Sequence, residues 1–216
     1  NELPFDSAVK EAAFSTDGCK LAIADSHAVT LFASGSGLQI REPIRGDSLI
    51  RTIRISRDAS RILILRESGR VGLWDAQLGT YLDNGESDLS RLCPAEEIQD
   101  IELSPNGKFL VVRRGGPNNM VFRVDDGRLV GKTDPQSGVA AATKFSADGQ
   151  RFIVCNSDTR ARVWNVDSNS PVGPFLRHPT FVRYGCLSPD GTMAATFSAD
   201  NQIRIWSSET GDLLHS

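Results

Sequence analysis

His178 and Asp200 are residue types that could serve as a general-base pair, and a hydroxyl, Ser198, stands two residues before Asp200. Such a set turns over substrate only with an exposed, positioned nucleophile and donors aimed at a developing oxyanion. No Gly-x-Ser-x-Gly element surrounds Ser198. A second candidate is Gly127-Arg128-Leu129-Val130-Gly131-Lys132-Thr133, which looks like a phosphate-binding loop. It has one residue too few between its glycines and lacks the strand–loop–helix pattern that aims backbone N–H groups at phosphate. It reads instead as an outer strand and its turn. His27 and His215 are isolated, and no His, Cys and carboxylate group has metal-ligand spacing, so neither a metal nor a cofactor is expected. Cys19, Cys93, Cys155 and Cys186 lack Cys-x-x-Cys spacing, which suits reduced thiols in a cytoplasmic protein. Arg41, Arg45, Arg51, Arg54, Arg57, Arg61, Arg66 and Arg70 crowd one stretch among Glu42, Asp47, Asp58 and Glu67. They read mainly as solvated or neighbour-paired positions.

The bulk properties narrow the classes further. The chain has 216 residues, 39% of them hydrophobic, enough to bury a core without disulfides. A net charge of −3 offers no broad basic field, and no aromatic platform interleaves with the arginines, so nucleic acid is not an expected partner. No apolar run is long enough to span a membrane, and none is expected as a partner. The first residue is Asn1, which suggests a processed product or an excerpt.

What must position these residues is a repeat. An aromatic or aliphatic residue opens a Ser-x-Asp-Gly-like corner at Phe14, Ile55, Leu103, Phe145 and Leu187, with advances of 41, 48, 42 and 42 residues. A bulky aromatic follows each time at Phe32, Trp74, Phe122, Trp164 and Trp206. Asp-Gly and Asn-Gly supply the positive φ of a tight hairpin; Ala59 stands where the second corner lacks its glycine, so that corner needs another geometry or carries strain. Inner apolar pairs precede the corners: Val9 and Ala12, Ile50 and Ile53, Ile98 and Ile101, Val182 and Gly185, with a softer Ala140 and Thr143. Apolar runs such as Ile62–Leu65 and Phe109–Val112 mark strands buried on both faces, and alternating runs such as Ile203–Trp206 mark strands with one buried face. Turns near Gly37, Gly79, Gly127, Asn169 and Gly211 lead to weaker outer strands. The expected architecture is all-β, with four-stranded antiparallel units at about 1–45, 46–86, 87–135, 136–177 and 178–216 and no second domain. One such sheet cannot bury both faces, so neighbouring sheets stack.

Trp74-Asp75 is the dipeptide after which the WD-repeat family is named, and all five units resemble that family. The resemblance implies a β-propeller of four-stranded blades. Because the family's usual ring is larger and no strand exchange between the termini is visible, a section of a longer array is favoured over a closed five-blade ring. The last unit matches best: His178 stands nine residues before Leu187, and Thr196 and Asp200 precede Trp206. By resemblance these four form a buried tetrad in which Asp200 accepts from His178, His178 meets Thr196, and Thr196 meets the Trp206 indole. That assigns His178 a structural role rather than a catalytic one. Phe5, Gly46, Pro94 and Gln136 occupy the histidine position in the other units.

The same resemblance puts the residues three and four before each corner on the rim of a channel mouth, where partners dock. These are Lys10 and Glu11, Arg51 and Thr52, Gln99 and Asp100, Ala141 and Ala142, and Arg183 and Tyr184, with Glu67 beside them. Arg51, Arg183 and Tyr184 are the preferred anchors, because Arg and Tyr are enriched at binding hot spots. The acidic segment 83–97 is a docking loop or a neutral insertion. The expected function is a non-catalytic scaffold for a protein or peptide, as the sensing or regulatory part of a larger signalling protein. Further blades of the same protein or a second chain would cover the open edges. The alternatives are a small-ligand sensor or an enzyme with its site at the channel mouth.

Overall fold

The computed structural model describes residues 7–15, 17–46, 48–81, 98–115, 118–133 and 140–216, and every regular element among them is a β-strand. Segment 83–97 lies outside the described residues. The chain forms two compact units, Asn1–Glu96 and Glu97–Ser216. In the first, β1 (Glu11–Phe14), β2 (Lys20–Ala24), β3 (Ala28–Ala33) and β4 (Ile44–Arg45) make sheet one. Sheet two is β5 (Ile50–Ile55), β6 (Arg61–Arg66), β7 (Val71–Asp75) and β8 (Thr80–Tyr81).

The second unit holds three sheets. Sheet three is β9 (Ile98–Leu103), β10 (Phe109–Arg114), β11 (Met120–Arg123) and β12 (Leu129–Lys132). Sheet four is β13 (Ala140–Phe145), β14 (Arg151–Asn156), β15 (Arg160–Asn165) and β16 (Ser170–Pro171), with β17 (Leu176–Arg177) pairing the free end of β15. Sheet five is β18 (Val182–Leu187), β19 (Met193–Ser198), β20 (Ile203–Ser207) and β21 (Leu213–His215). All five are antiparallel meanders, and the loop-like run from Gly127 is a turn leading into the outer strand β12.

The corners form for a local reason. Each corner serine donates its hydroxyl to the Asp or Asn two residues on: Ser15 to Asp17 at 2.6 Å, Ser56 to Asp58 at 2.8 Å, Ser104 to Asn106 at 2.7 Å, Ser146 to Asp148 at 2.6 Å, Ser188 to Asp190 at 2.6 Å. The same serine oxygens accept the N–H of the next strand's first residues, from Lys20 at 3.0 Å to Met193 at 3.0 Å. The side chains thus satisfy backbone donors that the tight turn leaves open. The glycine-less corner adopts the same left-handed conformation: Ala59 has φ 53° and is fully buried. Of the two outcomes expected there, strain is the one found, worth about 1–2 kcal/mol for a residue with a Cβ.

Sheets stack through their apolar faces, and the strand registers show which residues share a face. In the first unit, Ala22, Ala24, Val29 and Leu31 of sheet one pack on Ile50, Ile53, Ile62 and Ile64 of sheet two. The inner pair expected at Val9 and Ala12 is exposed instead. Ala12 pairs with Ile23, on the opposite face from Ala22, so it has no sheet of its own unit to pack on. In the second unit, Phe109, Val111 and Val121 meet Phe152, Val154 and Trp164. Ile153, Cys155, Ala161 and Val163 then meet Val182, Ala194 and Trp206. The last interface is close: a Cβ on Gly185 would lie 2.6 Å from the Cys155 sulfur, so any larger residue there forces β14 or β18 to shift.

Candidate partner-binding rim and the polar set of the fifth repeat

The inner strands of sheets two to five break register at one repeat position, four residues before the corner. In β5, Ile50 faces Arg66 and Thr52 faces Leu65, which leaves Arg51 unopposed. The same skip leaves Gln99 out in β9, Ala141 in β13 and Arg183 in β18. A bulge of this kind bends its strand and re-aims the extra side chain.

In the first unit, the expected rim residues divide into two groups. Lys10 Nζ donates to the Ile50 carbonyl at 3.2 Å. The half-buried Glu11 carboxylate accepts from Thr52 Oγ1 at 2.7 Å, the Ile53 amide at 2.8 Å and Arg54 Nη1 at 2.9 Å. Glu11 therefore ties sheet one to sheet two and is engaged inside the protein. Arg51 and Glu67 are exposed. Other arginines of the crowded stretch also serve neighbours: Arg61 pairs with Asp75 at 2.6 Å, Arg41 donates to the Gln77 carbonyl and buried Arg66 to the Ser48 carbonyl.

In the second unit, Gln99 and Asp100 share one arginine, Arg113, whose Nη atoms lie 3.2 Å from Gln99 Oε1 and 3.5 Å from Asp100 Oδ2. Sheet five carries a more open patch. The Arg183 guanidinium lies 5.4 Å from the centre of the Phe181 ring, and Phe181 and Tyr184 are 45% and 48% exposed. A cation over an aromatic face beside an exposed phenol can take a carboxylate and an apolar group together.

The tetrad implied for the fifth repeat exists in half. Trp206 Nε1 donates to Thr196 Oγ1 at 2.8 Å. His178 is buried, with its ring edge-on to Trp206 at 5.1 Å, but neither ring nitrogen has a hydrogen-bond partner among the described residues. Asp200 is held by Arg204 instead, at 2.7 Å from Nη2 to Oδ2 and 3.3 Å from Nη1 to Oδ1, and it also accepts from Ser198 at 2.6 Å. The physical reason is charge: a guanidinium two strand positions before Trp206 offers a two-pronged ionic grip that a neutral imidazole cannot match. Those bonds from Arg204 and Ser198 hold the Asp200 carboxyl well below the usual carboxylate range. Burial, with the Arg204 charge adding to it, lowers His178 from 6.5 to about 4. Ser198 is itself fully buried, which removes it as an exposed nucleophile. Sheet four lacks even the tryptophan bond, since Val154 takes the place of Thr196 and the Trp164 indole N–H has no partner among the described residues.

Sequence reasoning missed Arg204, which it read only as a polar position in an alternating strand. The available signal was an Asp and an Arg four residues apart across a tight turn.

The comparisons with known proteins agree with this geometry. The family model described as WD domain, G-beta repeat matches residues 127–165 and 169–207. Apoptotic protease-activating factor 1 of Rattus norvegicus is 25% identical over 77% of this chain, which spans 13% of that relative. Target of rapamycin complex subunit LST8 of Saccharomyces cerevisiae is 22% identical over 73% of this chain, which spans 52% of it. The crystal structure of the C-terminal WD40 domain of Sif2 superposes with a TM-score of 0.73 at 18% identity, over 98% of this chain and 59% of that one, which shows a shared fold. The family model covers two of the five repeats, and with the repeated corners and stacked four-stranded sheets these matches show a chain that is similar to the WD-repeat family and shares its fold.

Proposed function

We propose that this chain is a non-catalytic docking platform for a protein or peptide, seated on the bulged ends of its inner strands. WD-repeat proteins are in general scaffolds that bind protein partners. The observation that carries the reading here is the repeated bulge, which presents Arg51 in the first unit and Arg183 in the second from the same repeat position. Arg183, Tyr184 and Phe181 supply the anchor chemistry. The names of the relatives, a protease-activating factor and a complex subunit, support a regulatory role inside a larger assembly, and a cytoplasmic setting fits the scattered free thiols. Affinity capture with the intact protein and with the triple variant R51A/R183A/Y184A tests this reading. It predicts specific partners lost from the variant at unchanged fold. An identical set of partners on both would end it.

The outer face of sheet five is a second contact surface in this proposal, and its occupant is another four-stranded sheet of the same kind. Ala195 pairs with Ile205 and Phe197 with Ile203 on that face, and Ile203 is 62% exposed. The equivalent pairs of sheet four, Ile153 with Val163 and Cys155 with Ala161, are buried beneath sheet five. Like residues at like positions call for a like cover.

A further inference from the structure

Arg66 carries a full charge into the layer between sheets one and two. It follows Ile62 and Ile64 on the strand face that packs on sheet one, and it is only 4% exposed. Two glycines make the room for it. Gly46 stands at the repeat position that His178 holds in the fifth repeat, and a Cβ there would lie 2.0 Å from Arg66 Cζ. Gly72 faces Ile64 as Arg204 faces Thr196, and a Cβ there would lie 2.7 Å from Tyr81 Cε1. The guanidinium and the Tyr81 ring fill the space thus left.

Among the described residues this guanidinium meets only neutral oxygens. Its Nη1 donates to the Ser48 carbonyl at 2.8 Å, and its Nη2 donates to the Tyr81 hydroxyl at 3.4 Å. Neutral acceptors do not balance a buried charge, and the remaining N–H donors of the planar fork suit an oxyanion. The way in from solvent is short. Gly46 is exposed and lies directly against the guanidinium. The Ser48 and Ser68 hydroxyls stand at the surface 2.9 Å apart, on the residue whose carbonyl Arg66 holds and on the turn that follows β6.

We propose that Arg66, Ser48 and Ser68 form a binding site for a phosphate group. Arg66 supplies the charge and a fork of donors, and the two hydroxyls, which here bond to each other, turn their protons to the other phosphate oxygens. The group arrives as inorganic phosphate or on a small phosphomonoester. The assignment rests on the buried guanidinium and stands whether or not a partner docks on the rim.

The test is an NMR titration of the whole chain at fixed ionic strength, with chloride as the balancing anion and the Tyr81 ring resonances as the readout. Inorganic phosphate and phosphoserine are the two probes. The expected result is a saturable shift whose affinity falls about tenfold or more in R66M and about threefold or more in S48A/S68A. R128A, which removes an exposed arginine on an outer turn, should bind as the intact chain does. Tighter binding of phosphoserine assigns the site to an esterified phosphate, and equal or weaker binding assigns it to the free ion. Two results would overturn the proposal: no saturable shift with either probe, or one affinity shared by the intact chain and R66M. The Trp74 indole resonance reports that the sheet is folded. Should R66M not fold, S48A/S68A decides, because it keeps Arg66 and changes only surface hydroxyls; an unchanged affinity there overturns the site.

Discussion

Among the described residues Asp200 has an ionic partner and His178 has none, and that asymmetry gives the protein a specific pH dependence. His178 is lowered from 6.5 to about 4 in the folded chain, so the unfolded chain takes up the proton first as pH falls. The stability this residue contributes is complete above pH 6.5 and is lost as pH falls toward 4. Urea unfolding at pH 7 and pH 5 should show a loss of about 2 kcal/mol that is absent in H178L. Equal losses in the two proteins would contradict the burial of a neutral imidazole. Ser146 is the second residue to probe, since it is fully buried and its hydroxyl serves Asp148, the Arg151 amide and the Arg151 carbonyl. S146A should lower unfolding free energy by about 1–3 kcal/mol, the usual cost of orphaning buried polar groups. The corners were legible in the chain because every partner lies within five residues. The tetrad was not, because His178 and Asp200 stand far apart in sequence, whereas the partner that Asp200 does take, Arg204, is four residues on and reads as one polar residue of an alternating strand.

At the scale of elements, packing between β14 and β18 leaves least room. G185V places side-chain carbons where the Cys155 sulfur lies, and a Cβ alone would already approach it to 2.6 Å. Thermal unfolding should show a loss of about 1–3 kcal/mol, as overpacked cores do; an unchanged Tm would mean that the sheets slide to make room. The strand order was readable in advance, since corner and aromatic recur at a nearly constant interval and Leu–Ile–Val runs alternate with polar turns. Two features were hidden. The bulge falls on Arg51, Gln99, Ala141 and Arg183, four positions with no common side-chain property, so only the pairing reveals it. The small strand β17 comes from the segment after Gly173, where the carbonyl of Gly173 accepts from Arg162 and Phe175 lies beneath the Arg160 and Arg162 guanidiniums. Those are long-range contacts that a local reading cannot see.

Each described unit is a stack of sheets with apolar side chains packed between them, and exposed large side chains stand near the bulge of β18 and on the outer face of sheet five. That distribution suits a platform whose chemistry is recognition. Arg183 and Tyr184 are exposed members of the expected rim, whereas Glu11 is spent on holding two sheets together. The most direct measurement is the equilibrium affinity of one captured partner for the intact chain, for R183A/Y184A, and for R128A, whose side chain is 85% exposed on an outer turn. The platform reading predicts a loss of about 30-fold or more for R183A/Y184A, the mark of hot-spot anchors, with R128A and the Tm of both variants unchanged. Equal affinity of all three proteins, or equal losses in both variants, would contradict it.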